Sequence, residues 1–492
     1  MSVKLSFAAL ADLPSNVPAP RYDRAGLTAG ILHFGVGNFH RAHQAVYLDD
    51  LFATGADHDW AIIGAGVLPS EITMHEKLGE QDWLTTVVEQ DTGHMEARVT
   101  GSMIDFIAPG NTAGILARLA DPKIRIVSLT ITEGGYFIDA ASGKFNPKHP
   151  AIAADAAAPE APVTVFGLIL AGLKQRRAAG MTPFTVMSCD NIPHNGHVTR
   201  DAVAGLAELI DRDLAQWVRD TVAFPNSMVD RITPATSERE RALLRDTFNV
   251  SDNWPVFCEP FKQWVLEDTF TVGRPALETV GVQFVEDVAP FELMKIRILN
   301  GGHATIAYPA GLLDIHFVDE GMAEPLVARF LDKVEREEII PTVPPVPGVV
   351  LNDYYELIVR RFSNPKIGDT IRRLCLDGSN RQPKFIVPTI AARLKAGASI
   401  EGLGLESALW CRYCEGTTDS GAVTEPNDPA WARLQATAKA AKSDPSAWLA
   451  MSDIYGDVAK SDVFAAAFAK SLKALWADGT RATVESYLAG QH

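Results

Sequence analysis

Cysteine is scarce in this chain of 492 residues: Cys189, Cys258, Cys375, Cys411 and Cys414 are all there are. An odd, sparse count over such a length excludes a disulfide framework and points to a reducing compartment. Long hydrophobic runs are also missing. No stretch approaches the roughly 18 apolar residues that a membrane helix needs. The opening MSVKLSFAALADLPSN is too interrupted, by Asp12 and Pro14, to read as a secretory signal. Positive charge is in the minority, with 45 Lys and Arg against 61 Asp and Glu and a formal charge of −16. Nucleic acid needs a basic surface and is therefore excluded as a general partner, although a local basic pocket still admits a small anion. These absences predict a soluble cytoplasmic protein that engages neither nucleic acid nor membrane, and the charge favours a monomer.

Several catalytic signatures are absent as well. No Tyr is followed by Lys four residues later, and there is no GxSxG turn and no Walker lysine loop. Cys411-Arg-Tyr-Cys414 has no second Cys or His pair nearby, and His40 and His43 lack a third ligand, so no metal is expected. The composition that remains, 47% hydrophobic and 22% charged, is that of an ordinary globular protein. At about 100–200 residues per domain the chain holds more than one.

The first half alternates strand-like and helix-like segments. GILHFGV (30–36) is a short apolar run. NFHRAHQAVYLDDLFA (38–53) follows with Phe39, Ala42, Val46, Leu48 and Leu51 at helical spacing, and WAIIGAG (60–66) is a second apolar run. This is the pattern of a strand–helix–strand unit. Further strands are predicted at 84–89, 124–132 and 184–188, and helices at 164–179 and 198–221. The alternation predicts a mostly parallel sheet covered on both faces. After residue 285 helical patterns dominate: 291–308, 322–338, 352–362, 389–395, 405–415 and others up to Leu488. The expected division is therefore 1–285, α/β, and 286–492, mostly helical.

Five segments carry candidate chemistry. Gly35-Val36-Gly37-Asn38-Phe39-His40 lies between the first strand and helix, where a glycine turn lets backbone N–H groups approach a pyrophosphate. The third glycine of the usual fingerprint is His40 here, so an ordinary tight turn explains the segment equally well. Glu71 lies 71 − 35 = 36 residues past Gly35, later than the ~20 usual for a ribose-binding acid. If it fills that role, its charge repels a 2′-phosphate and favours NAD over NADP. In Lys295-Ile-Arg-Ile-Leu-Asn300-Gly-Gly-His303, helical geometry sets Asn300 and His303 roughly 140° and 80° round from Lys295. A partly buried Lys loses hydration, which makes a neutral amine base possible; a solvated Lys before a capping Asn-Gly-Gly is the alternative. In Cys189-Asp-Asn191-Ile-Pro-His-Asn-Gly196, just past a strand, Asn191 is placed to donate to a developing oxyanion, or is simple turn chemistry. Asp230-Arg231 reads as a structural ion pair, and Glu133, in TITEGGY, as a solvated turn acid.

Taken together, GVGNFHRAHQAVY, SLTITEGGY, FTVMSCDNIPHNG, FPNSMVDRITP, CEPFKQWVLED, MKIRILNGGH and PKFIVPT resemble the polyol-specific long-chain dehydrogenase/reductase family over nearly the whole chain. The resemblance implies a Rossmann-type domain, a mostly helical domain and an active site in a cleft between them. It implies zinc-independent, NAD-dependent oxidation of a polyol to a ketose, D-mannitol at C2 giving D-fructose. Carried over by position, Lys295 is the general base, Asn191 and Asn300 hold the reacting oxygen, and His303 orients the substrate. Asp230 and Glu133 line the site, Glu292 relays protons, and Arg373 binds the polyol. Arg381 stands where Lys also occurs in the family. Gly35, Val36, Gly37, Asn38, Phe39, Arg41 and Glu71 are the implied coenzyme contacts. The rivals are a relative acting on D-arabinitol, sorbitol or a hexuronate such as fructuronate, for which Arg381 would be the cue, and a non-catalytic nucleotide-binding sensor.

Overall fold

Strand residues of the first half alternate between two apolar layers, as a period of two requires for a strand buried on both faces. Leu32, Phe34, Ile63, Val127, Leu129 and Val186 pack into one core with Leu119, Leu173 and Leu206 from helices. Ile31, Ile62, Ile126 and Met187 pack into another with Leu48 and Leu51. The computed structural model that shows this describes residues 2–139 and 143–490. Two compact units divide the chain, Met1–Ala289 and Pro290–His492, where the sequence reading set the division at 285.

The first unit is built on five parallel strands: β1 (Ala29–Phe34), β2 (Ala61–Ala65), β3 (Met103–Ile107), β4 (Ile126–Leu129) and β5 (Thr185–Ser188), in the order β3-β2-β1-β4-β5. The order reverses between β1 and β4. Beyond the carboxyl ends of two such strands the connecting loops diverge and leave a crevice, the usual ligand position in this architecture.

Three local expectations are corrected. The segment at 84–89 does not join the parallel sheet; it forms the hairpin Thr85–Asp91 with His94–Thr100, turned at Gly93, whose φ is +77°. The helix expected over 38–53 is two helices, α1 (Asn38–Ala42) and α2 (Gln44–Phe52), broken at His43 (φ −121°, ψ −86°). The break follows the side chain, for His43 Nε2 lies 2.8 Å from the Gln263 carbonyl. The helix expected over 198–221 is likewise two, Asn195–Ile210 and Arg212–Thr221. Asp211 ends the first and caps the second, accepting from the amides of Asp213 and Leu214 at 2.9 and 3.1 Å.

The second unit is helical. Its central helix, Glu401–Cys414, is buried on every side from Gly402 onward, including the polar Glu406, Ser407 and Arg412, and it packs on Asp462–Leu488. The stretch expected as one α-helix over 291–308 contains a π-turn, Lys295–Asn300, between Ala289–Met294 and Gly301–Leu312. The stretch over 322–338 is also interrupted, by Glu324 and by a second π-turn, Glu335–Ile339. Among the described residues no helix is long and apolar enough to cross a membrane, and all five thiols are unpaired and buried.

Candidate active site

Gly35 ends β1 with φ +90°, and a Cβ there would lie 2.1 Å from the Thr130 carbonyl oxygen. Glycine is the residue that permits this crossing of β1 and β4. Gly37 is different. It precedes α1 in extended conformation, and a Cβ on it would meet nothing nearer than 3.8 Å. The space it leaves suits a ligand approaching the backbone at the helix start, and a dinucleotide pyrophosphate fits that cradle. The usual third glycine allows close packing of helix on strand. His40 achieves that contact by stacking its ring on His33, centroids 3.5 Å apart and planes at 14°. Both imidazoles are buried, and desolvation holds each well below the ordinary histidine range, so the stack is neutral.

The other implied coenzyme contacts divide. Val36 is buried, and Phe39 stacks on His43 at 4.8 Å. The side chains of Asn38 and Arg41 are committed to the protein. Asn38 Nδ2 donates to the Pro234 carbonyl (3.0 Å) and Thr236 Oγ1 (2.9 Å), while Arg41 donates to Asn38 Oδ1 (2.9 Å) and the Trp254 carbonyl (2.5 Å). Glu71 follows β2, and its Oε2 accepts from the amides of Val67 and Leu68 at 2.8 and 2.7 Å. That fixes the carboxylate in the turn that follows β2.

Past β5, Asp190 is buried and the adjacent Asn191 is exposed. Asn195, fully buried, connects this turn to the strand Ser227–Asp230 that ends in Asp230. Its Nδ2 donates to the carbonyls of Asp190 (3.0 Å) and Ser227 (2.8 Å), and its Oδ1 accepts from the Ser227 amide (2.9 Å). Glu133 is exposed at the start of a short 3-10 turn, Glu133–Tyr136. Arg231 donates to the carbonyls of Glu259 and Ala42 and to the Glu89 carboxylate.

In the second unit Lys295 and Glu292 are nearly buried, 8% and 7% exposed. A π-turn hydrogen-bonds i→i+5 and winds more slowly than an α-turn. Asn300 therefore comes back closer to the face of Lys295 than the 140° expected from α geometry. Its Oδ1 is buried with no hydrogen-bond partner. His303, one α-turn further on, stacks on Phe362 at 4.1 Å. Burial, then the nearby charges of Arg373, Arg361, Arg381 and Lys295, hold it well below the ordinary histidine range, so it is a neutral polar group facing cations. Arg373 pairs with Asp369, and Arg381 donates to the carbonyls of Arg373 (3.3 Å) and Leu374 (2.9 Å). Sequence reasoning passed over Arg361, 6% exposed, because a helix-end RR pair carries no signature of its own. Asp190 carries no signal in sequence either, because its partners Ile131, Thr132 and Tyr136 lie in another segment. Among the described residues no group of three or more His, Cys, Asp or Glu is placed to hold a metal ion.

Residues 29–279 match the mannitol dehydrogenase Rossmann domain and residues 287–476 the mannitol dehydrogenase C-terminal domain. The chain belongs to the mannitol dehydrogenase family. Within that family it is 61% identical to the mannitol 2-dehydrogenase of Cereibacter sphaeroides, over 96% of this chain and 99% of that one. It is 41% identical to the mannitol 2-dehydrogenase of Phaeosphaeria nodorum, over 99% and 86%. Among solved structures it is similar to the ternary complex of Pseudomonas fluorescens mannitol 2-dehydrogenase with NAD and D-mannitol, with 43% identity, a TM-score of 0.88 and 99% of each chain covered. It is also similar to a substrate-free D-sorbitol dehydrogenase, with 35% identity, a TM-score of 0.90 and coverage of 98% and 100%.

Proposed function

We propose that this mannitol dehydrogenase family member oxidises D-mannitol at C2 to D-fructose, reversibly and with NAD. The observation that carries the reading is the placement of a nearly buried Lys295 and of Asn300 at the two ends of one π-turn, with His303, held well below the ordinary histidine range, just beyond. Relatives at 61% and 41% identity are named mannitol 2-dehydrogenase, and a 43% identical neighbour was solved with NAD and D-mannitol, which supports the substrate and the coenzyme.

When bound, the coenzyme supplies the acceptor for the hydride leaving C2. The chain supplies the rest. The Lys295 amine, in its neutral form, takes the proton of the C2 hydroxyl as general base. Asn191 and Asn300 direct amide N–H groups at the oxygen as it gains alkoxide character, an interaction that is strongest in the transition state. His303 and Asp230 orient the carbinol, Arg373 and Arg381 meet the distal hydroxyls, and Glu133 lines the entrance. Glu292, one α-turn before Lys295, passes the proton on towards solvent. In the reverse direction protonated Lys295 polarises the ketone. Gly35 to Gly37 and the start of α1 cradle the pyrophosphate, and Glu71 faces the adenosine ribose. The five unpaired thiols support the cytoplasm as its compartment.

A second reading, reduction of a hexuronate such as fructuronate, is favoured by one feature: the charges of Arg373, Arg361 and Arg381 all act on His303 in a protein of net charge −16. An NADH-linked screen of polyols, ketoses and hexuronates, run with NAD and NADP, separates the two. D-mannitol and D-fructose with NAD(H) are expected to give the highest kcat/KM. A hexuronate in first place would replace the first reading with the second.

A further inference from the structure

Asp190 is 8% exposed, and hydrogen-bond donors from another loop surround its carboxylate. Oδ2 accepts from the Ile131 amide (3.0 Å) and the Tyr136 hydroxyl (2.6 Å), and Oδ1 accepts from the Thr132 amide (2.8 Å). Tyr136 is itself buried, with its hydroxyl 2.6 Å from Ser188 Oγ on β5. Thr132 is held at φ +63°, a region that β-branched residues avoid. A neighbour that binds the Thr132 amide and the one before it must pay for that conformation. The turn held in this way begins with Glu133, and the residue that follows Asp190 in the chain is Asn191.

We propose that Asp190 is a positioning residue. Its carboxylate ties the Ile131–Tyr136 turn beyond β4 to the Cys189–Asn191 turn beyond β5, and so fixes the backbone from which Asn191 reaches the reacting oxygen. This rests on the role of Asn191 proposed above. All three partners are donors, so only an acceptor satisfies them. An asparagine in place of Asp190 turns an N–H towards at least one of them and loosens both turns.

A double-mutant cycle tests the proposal, read as kcat with the polyol that the wild type oxidises best and as NADH affinity by fluorescence titration. Asn191→Ala is expected to lower kcat about 100-fold, the usual cost of one oxyanion donor. Asp190→Asn is expected to lower kcat by roughly 10-fold or more while NADH affinity stays within about twofold, as for a group that acts on the transition state. Because Asp190 works through Asn191, the double variant Asp190→Asn/Asn191→Ala should be no slower than Asn191→Ala alone, within about threefold. Tyr136→Phe removes one donor without burying a new polar group; it is expected to fold, to lose a smaller factor, and to show the same non-additivity. If the Asp190 and Asn191 effects multiply, or if Asp190→Asn and Tyr136→Phe keep wild-type kcat, Asp190 does not position Asn191, and the polyol reading stands without it. If Asp190→Asn does not fold, the Tyr136→Phe cycle decides alone. A wild type that oxidises no polyol removes the functional reading, and this proposal falls with it.

Discussion

Lys295 and Asn300 are the two ends of a single π-turn. The slower winding of that turn brings an amine and an amide five residues apart towards one face of the helix. Extra-residue turns of this kind cost regular hydrogen bonding and concentrate at functional sites. Replacing Lys295 by Ala should lower kcat by about 100-fold or more, the scale of a lost general base, while NADH binding persists. Stopped-flow reduction of the coenzyme alongside equilibrium NADH titration separates the two effects. Retention of most of the rate would remove Lys295 from the chemistry.

Asn300→Ala keeps the amine and removes the donor beside it. The expected loss is about 100- to 1,000-fold in kcat, with a smaller change in KM, because the amide is used most fully as negative charge develops on oxygen. An equal loss in ground-state affinity, measured with a non-reactive polyol analogue, would make Asn300 a simple binding group.

The two glycines of the first turn make opposite predictions. Gly35→Ala drives a Cβ to 2.1 Å from the Thr130 carbonyl at a φ of +90°. It should destabilise the whole first unit, with a lower unfolding temperature. Gly37→Ala has no protein atom nearer than 3.8 Å. It should leave unfolding unchanged and weaken NADH binding, because the methyl group stands where the pyrophosphate approaches. Differential scanning fluorimetry with and without NADH reads both. Intact NADH affinity in the Gly37 variant would place the coenzyme elsewhere.

The sheet was legible because its strands are short apolar runs punctuated by glycine, such as GILHFG and AIIGAG, and this pattern depends on neighbours in sequence alone. What stayed hidden depends on distant partners. The break at His43 follows a contact with Gln263, and the departure of the strand near Glu89 follows its pairing with His94–Thr100 and Val256–Cys258. The π-turn at Lys295 is silent for another reason. An α-turn and a π-turn are composed of the same residues, so helical arithmetic could supply the element but gave the wrong angle between its two polar groups. Residue type and spacing alone raised Lys295, Asn300, His303, Asn191 and the Gly35–Gly37 turn as candidates, whereas Glu292, Arg373 and Arg381 came from family resemblance. Asp190 shows the limit of reading a motif alone, since its value lies in Ile131, Thr132 and Tyr136, more than fifty residues earlier.

Glu71 offers a test of coenzyme choice that spares the turn. Its Oε2 holds the amides of Val67 and Leu68, and a glutamine carbonyl oxygen can accept the same two bonds. Glu71→Gln should therefore fold normally while removing a negative charge from the ribose end. One unit-charge repulsion at about 4 Å in water is worth about 1 kcal/mol, so the ratio of kcat/KM for NADP over NAD should rise roughly fivefold. An unchanged ratio would place the 2′ position away from Glu71.

Three acids buried in the helical unit set its response to pH. Glu335 is fully buried with neither oxygen hydrogen-bonded, and desolvation pushes it well above the ordinary carboxyl range. Burial also raises Glu338 to about 7, against the opposing pull of the Gly402 and Leu403 amides, and Glu406 to about 8, against its bond to Gln382. Each folded value lies above the unfolded one, about 4.3. Below that value both states are protonated and the contribution to stability is complete. As pH rises the unfolded chain loses its protons first, so stability declines until the folded value is passed, near 7 for Glu338 and near 8 for Glu406. Glu335 adds to the decline, because an unpartnered carboxyl has nothing to stabilise its charge. Glu335→Met replaces it with an apolar chain of similar length. The variant should be more stable than wild type at pH 8, with the difference shrinking towards pH 5 by at most about 1.4 kcal/mol per pH unit. Urea unfolding of both proteins at pH 5, 6, 7 and 8 gives the slope directly. A difference that stays constant over that range would mean that Glu335 has the same charge folded and unfolded.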